Sequence, residues 1–291
     1  MTGIAVLLGS TNVTPPLPRG SGFSLASEDP HDGQALTAAE AGARRTTPLR
    51  GSTTGGAVGA DEHCALLGAN LESAGVDTDL LHIAKGPSGT AHIVVDDMGS
   101  NSIVVIPGAD GTVTALGPGE SAAVAGADLL LLQWELLLPA VMEGARVAHA
   151  QGVRTILTPT PVQPPPSELL DCIDLLIPNE HEAAELTGSA DPRAAAQILL
   201  SQVPAVVVTL GSKGCLYAAR GSEPVLFPAP EVTAVDTTGA GDTFVGTLGV
   251  ALGERRPVPE SVAWASSAAA LCVQRPGAST SMPYRSEIDA A

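Results

Sequence analysis

Short aliphatic runs alternate along this chain with longer stretches in which small apolar residues recur every three or four positions. The runs predict strands and the stretches predict helices. Ile4 to Leu8 ends in Gly9-Ser10, the pattern of a first strand entering a loop. Residues 14–56 are rich in Pro, Gly, Ser, Thr and Arg, with little periodicity outside Ala35 to Ala43, so ordered pattern is expected to return only at Val58-Gly59-Ala60-Asp61. A helix is predicted over Glu62 to Ala74. Thr90 to Val95 and Ser102 to Ile106 flank the turn-rich segment Asp96 to Asn101 and predict a β-hairpin.

A strand–helix rhythm then sets in. Strand Leu129 to Gln133 precedes helix Ala140 to Gln151, and strand Thr155 to Leu157 precedes a Pro-rich turn, Pro159 to Pro166. Strand Leu175 to Ile177 precedes helix Glu180 to Leu186, which Gly188 closes. Strands Ala205 to Leu210 and Cys215 to Ala219 flank Gly211-Ser212-Lys213-Gly214 as a second hairpin. Helices are predicted over Gly241 to Leu252 and Pro259 to Val273. Alternating units with short loops imply an α/β fold, a mostly parallel sheet wrapped by helices. One domain over 1–291 is expected, with the hairpin at about 88–107 as a small β lid.

Composition narrows this picture. Hydrophobic residues make up 44% of the 291 positions and charged residues 15%, which argues against wholesale disorder. Aromatics are only 2%, so the core must rest on Ala, Val, Leu and Ile. The run Leu129 to Leu138, broken by Gln133, Trp134 and Glu135, is too short to span a bilayer. The net charge of −17 disfavours nucleic acid and anionic membranes as partners. An anionic ligand would have to be held by backbone N–H groups, metal and a few local cations. Cys64, Cys172, Cys215 and Cys272 form no CxxC pair or zinc pattern and read as reduced thiols, which suits the cytoplasm.

The strongest chemical signal is Asp236-Thr237-Thr238-Gly239-Ala240-Gly241-Asp242, ahead of a helical pattern. Small residues let backbone N–H groups approach an anion, and the helix N-terminus adds its dipole. Asp242 at that helix start could accept a proton from an attacking hydroxyl. A plain helix start capped by Asp fits the same residues. Asn179-Glu180-His181-Glu182 offers an amide and a carboxylate at a helix start, suited to a metal's water shell or to a simple capping arrangement. Thr209 to Gly214 fits a loop against a nucleotide or a plain hairpin turn.

Taken together and in this order, these segments resemble the PfkB family of carbohydrate kinases, of the ribokinase type. The string Asp236 to Asp242 is similar to D-T-x-G-A-G-D, Asn179–Glu182 to N-x-x-E, and Thr209–Gly214 to T-L-G-x-x-G. The resemblance covers most of the chain from Val58 onward. It implies a ribokinase-like three-layer α/β/α fold and transfer of phosphate from ATP to the primary hydroxyl of a sugar, D-ribose foremost. A fructokinase, ketodeoxygluconate kinase or nucleoside kinase, or a nucleotide-binding protein without activity, is the alternative. It implies Asp242 as base, Gly239, Ala240 and Gly241 as the phosphate turn, and Asn179 and Glu182 for Mg²⁺. Thr209, Leu210, Gly211, Ser212, Lys213, Gly214 and Gly241 would line the nucleotide, with Lys213 given no catalytic role. Asn12 and Glu135 join Asp242 at the sugar. Asp236, Thr238, Cys272, Gly277 and Ser281 would surround K⁺, largely through carbonyl oxygens. A homodimer through the lid is a further expectation of this type.

The first quarter departs from the family pattern. Gly9-Ser10-Thr11-Asn12-Val13-Thr14 keeps Asn12 but has Thr14 where the family has a sugar-binding Asp. Glu28 to Gly33 stands where G-G-K-G-x-N is expected, and Arg44, Arg45 and Arg50 form a cation cluster of their own. Residues 14–56 are therefore atypical. Either a compensated frameshift or divergence toward another substrate, or toward no catalysis, accounts for them.

Overall fold

Successive side chains of a strand point to opposite faces, and the run Leu129–Gln133 uses both. Leu130 and Leu132 pack with Val141, Ala145, Leu169, Ala183 and Ala195 on one side. Leu129 and Leu131 pack with Phe244, Leu248, Val262 and Ala265 on the other. A strand buried on both faces needs helices on both faces, which produces three layers.

The computed structural model describes residues 5–8, 12–13, 53–95, 101–277 and 279–291. The chain enters through β1 (Ala5–Leu8) and β2 (Asn12–Val13), then β3 (Thr53–Gly59), α1 (Glu62–Ser73) and β4 (Leu81–Ala84). The hairpin of β5 (Gly89–Val95) and β6 (Asn101–Ile106) leads through a 3₁₀ turn, Gly108–Thr112, to α2 (Pro118–Ala125). β7 (Leu129–Gln133), α3 (Leu138–Gln151), β8 (Arg154–Thr158), α4 (Ser167–Leu170), β9 (Leu175–Leu176), α5 (Glu180–Thr187) and α6 (Pro192–Leu199) follow. The last part holds β10 (Ala205–Thr209), β11 (Cys215–Ala219), β12 (Val225–Phe227), α7 (Ala240–Gly253), α8 (Val258–Cys272) and α9 (Arg285–Ile288).

The main sheet runs β12-β11-β10-β9-β8-β7-β1-β3-β4, and β2-β5-β6 form a separate three-stranded sheet. The main-sheet pairings from β10 through to β4 are parallel, whereas β11 and β12 pair antiparallel. This matches the expected α/β class with a mostly parallel sheet and a small β lid. The strand order grows in two directions from β1, toward β3 on one side and β7 on the other. Crevices outside the carboxyl ends of strands at such a reversal are the usual ligand site of open α/β sheets.

One expectation needs correction. The strand there begins at Thr53 rather than at Val58, because Thr53-Thr54-Gly55-Gly56 belong to β3 and are buried. Polar Thr and featureless Gly hid a strand that pairs Val6 with Thr53 and Leu8 with Gly55. The atypical stretch up to residue 52, with Thr14, Glu28 to Gly33 and the three arginines, lies outside the described residues. Helices α2 and α6 and strands β4 and β12 were not expected. α2 lacks a distinct apolar face, whereas α6 has one, opened by Pro192 and capped by Asp191, which accepts from the Ala194 N–H at 3.0 Å.

Candidate active site

Four neighbouring parallel strands deliver chemistry at the same edge of the sheet. Glu135 follows the carboxyl end of β7, Thr160 that of β8, Asn179 that of β9 and Gly211 that of β10. Backbone bonds stitch these loops together. The Trp134 N–H donates to the Thr160 carbonyl (3.1 Å), and the Thr209 N–H donates to the Pro178 carbonyl (3.0 Å).

The glycine turn sits at the start of α7. Gly239 caps the helix with φ of 75°, a left-handed conformation that glycine adopts without steric cost. The Ala240 N–H turns back to the Thr237 carbonyl (3.3 Å). Among the described residues, none accepts from the N–H of Gly239 or Gly241. A Cβ on Gly241 would meet no atom within 4 Å, so the fold leaves open space there. An unfilled helix N-terminus beside open space can receive an anion.

That space belongs to a cavity of about 410 Å³. Thr209, Gly211, Ser212 and Gly214 line it from the β10–β11 loop, Gly241 and Phe244 from α7, and Ala269 and Ala270 from α8. Ala229, Pro230, Val232 and Ala234 complete an apolar wall, and among the described residues Glu231 is the one charged member of the lining. Such a slot suits a flat, hydrophobic base with a polar tail leaving toward the turn. Gly214 is needed for tight packing here, since its φ is 95° and a Cβ would lie 1.9 Å from the Phe227 carbonyl oxygen. Leu210 is buried beneath the loop, and the Lys213 side chain is exposed.

On the other side of the turn, carboxylates gather. Burial pushes the half-buried Asp242 carboxyl up to about 7, partly offset by its own backbone N–H and reinforced by the charge of Glu182. Glu135 is pushed up to about 8, by burial first and then by the charges of Asp242 and Asp110. Asp110 is fully buried and accepts from the Ala57 N–H at 3.2 Å. Asp242 and Glu135 therefore share one low-dielectric region with Glu182 and Asp110 close by. Perturbed acids grouped beside an anion turn are the signature of proton-transfer chemistry.

Asn179 and Glu182 form a complete capping box at the start of α5. The Asn179 Oδ1 accepts from the His181 N–H (2.9 Å) and the Glu182 N–H (2.8 Å). Glu182 Oε2 accepts from the Asn179 N–H (2.8 Å), and Oε1 accepts from the Thr160 hydroxyl (2.7 Å). The capping reading is thus realised, and it also fixes a buried carboxylate toward Asp242. Each carboxylate oxygen retains a lone pair for a water molecule. Among the described residues no cluster of three or more His, Cys, Asp or Glu could cage a metal ion. This donor set fits Mg²⁺ that keeps its water shell and rides on a polyphosphate.

The segments around Asp236 and Cys272 also converge. Asp236 Oδ1 accepts from the Thr238 N–H and Oδ2 from the Gly277 N–H, both at 2.9 Å. The buried Cys272 thiol lies 3.8 Å from the Thr238 carbonyl and 3.0 Å from the Ser281 hydroxyl. All five sequence candidates therefore meet beside the glycine turn, in a set rich in hard oxygen donors. Asn12 takes a place on lid strand β2, paired with Gly89. Sequence reasoning missed Asp110, Thr160 and the small-residue wall of the cavity. Only Thr160, in the Pro-rich turn already marked, had a usable signal.

The profile of pfkB family carbohydrate kinases matches residues 33–285. The chain is 36% identical over 245 residues to ribokinase of Schizosaccharomyces pombe, covering 80% of this chain and 77% of that one. It is 38% identical over 239 residues to ribokinase of Bacillus subtilis, covering 80% and 79%. Its fold is similar to that of Arabidopsis thaliana ribokinase complexed with ribose and ATP, with a TM-score of 0.87 and 31% identity, over 100% of this chain and 98% of that one. The apolar slot, the open glycine turn and the perturbed carboxylate are arranged as phosphoryl transfer requires, and the chain belongs to the pfkB family of carbohydrate kinases, where it is most like the ribokinases.

Proposed function

We propose that this protein transfers the γ-phosphoryl group of ATP to the primary hydroxyl of D-ribose, giving ribose 5-phosphate and ADP. The observation that carries this reading is Asp242 on the first turn of α7, with its carboxyl pushed up to about 7 between an open anion turn and Glu135. The base enters the apolar cavity, and the phosphate tail reaches the N–H groups of Gly239 to Gly241. Asp242 takes the proton of the ribose hydroxyl as its oxygen bonds to phosphorus and the bond to the β-phosphate oxygen breaks. A base with this affinity is about half ionised at neutral pH and accepts a proton readily. Preorganised N–H groups and the helix dipole stabilise the transferring charge without rearrangement.

Asn179 and Glu182 would hold Mg²⁺ through its waters, and the ion would supply charge neutralisation on the triphosphate when bound. Asp236, Thr238, Cys272, Gly277 and Ser281 hold a monovalent cation, K⁺ in this reading, next to the turn. Glu135 and Asn12 contact the sugar. The chain works in the cytoplasm, in keeping with four cysteines free of disulfides, and pairs as a homodimer through the lid, where Val105 and Ile106 are exposed. Among the described residues no helix is long and apolar enough to cross a membrane.

The test is a coupled ADP-release assay over pentoses, hexoses, ketodeoxygluconate and nucleosides, with and without K⁺. Ribose is expected to give the highest kcat/KM, increased by K⁺. Preference for another acceptor would refute the substrate, and no acceptor-dependent ADP release would refute the activity.

A further inference from the structure

We propose that Thr160 is a positioning residue that couples the acceptor side of this site to its phosphate side. Thr160 stands past the carboxyl end of β8, and β8 lies between β7, which leads to Glu135, and β9, which leads to Asn179. Its carbonyl accepts from the N–H of Trp134, the residue before Glu135, at 3.1 Å. Its hydroxyl donates to Glu182 Oε1 at 2.7 Å. One exposed residue thus ties a loop of the acceptor side to a buried carboxylate of the phosphate side.

The hydroxyl matters because of what else holds Glu182. Oε2 accepts from the Asn179 N–H, which defines one end of the carboxylate, and among the described residues Oε1 accepts from the Thr160 hydroxyl. Two donors fix the plane of the carboxylate, whereas one leaves it free to turn. The lone pairs available to a metal-bound water then lose their direction, and such outer-sphere losses cost on the order of 10–100-fold in metal affinity or activity. The fold needs the hydroxyl less, because the side chain is exposed and the α5 cap is completed by Asn179 and Glu182 themselves.

This inference rests on the kinase reading of Glu182, and the experiment separates the two. Thr160→Val keeps the shape and removes the donor, and Thr160→Ser keeps the donor. Affinity for a non-hydrolysable ATP analogue is measured by calorimetry with and without Mg²⁺, alongside the Mg²⁺ concentration for half-maximal turnover. Thr160→Val is expected to leave metal-free affinity within about 2-fold and to weaken the Mg²⁺-dependent gain and raise the half-maximal Mg²⁺ by about tenfold. Thr160→Ser is expected to restore both. Wild-type Mg²⁺ dependence in Thr160→Val, equal losses with and without Mg²⁺, or a Thr160→Ser variant as impaired as Thr160→Val would overturn the role of Thr160 while leaving the kinase reading intact. Wild-type protein without Mg²⁺-dependent turnover would overturn both.

Discussion

The two halves of this site handle charge in opposite ways. The nucleotide half is nearly free of it: its cavity is lined by Gly, Ala, Val, Ser, Thr, Pro and Phe, with Glu231 as the single charged residue among the described lining. The acceptor half concentrates it, with Glu135 and Asp242 in one region near Glu182 and Asp110. A chain of net charge −17 can bind a polyanion because its carboxylates other than Glu231 are kept out of the slot and backbone N–H groups face it instead. Two carboxylates near the turn, Asp242 and Glu135, have their proton affinity raised into the working range.

The sharpest way to break this contrast is Asp242→Asn. It is expected to lower kcat by about 10²–10⁴-fold, the span of a lost general base, while nucleotide affinity by calorimetry changes little. In the unaltered protein, kcat/KM should fall as the pH drops through about 7, since the base must be unprotonated. Retained turnover in the variant would break the acceptor half of the account. Glu135→Ala comes next. Its loss is expected to fall on the acceptor, with kcat/KM for sugar down by about 10–100-fold and nucleotide affinity unchanged, because a sugar hydroxyl is left unpaired.

Gly241→Ala probes the other half with a smaller and two-sided effect. A Cβ meets no protein atom there, and alanine in a helix is up to about 1 kcal/mol better than glycine. Denaturant unfolding should show equal or higher stability, whereas nucleotide affinity should fall by about tenfold as the methyl occupies phosphate space. Unchanged affinity would separate the turn from the anion.

The last effect is on stability. Both Asp242 and Glu135 have folded values raised above the ordinary carboxylate range, so the folded protein keeps protons that the unfolded chain has released. Stability should therefore be fullest below the ordinary carboxylate values and decline as the pH rises through about 7 and 8. Melting temperatures from pH 5 to 9 should show that decline, and Asp242→Asn with Glu135→Gln should flatten it.

What the sequence revealed follows from how local each feature is. The face alternation of Leu129 to Leu132, the cap of α5 and the turn at Gly239 to Gly241 are made by neighbours in the chain, and their residue types declare them. The buried strand beginning at Thr53 did not declare itself, because Thr and Gly serve a crowded sheet interior as well as a loop. The cavity wall escaped for a related reason: Ala269, Ala270 and Val232 are the types that also fill cores, and only the fold leaves them facing space. Asp110 and Thr160 gain their meaning from partners far along the chain, at Ala57 and Glu182.

The central claim is spatial, so a crystal structure with a non-hydrolysable ATP analogue and ribose tests it most directly. The terminal phosphate should lie within about 3 Å of the Gly239 and Gly241 nitrogens, and the primary hydroxyl within about 2.6–3.2 Å of Asp242. A triphosphate bound elsewhere, or a ribose whose primary hydroxyl points away from that carboxylate, would contradict it.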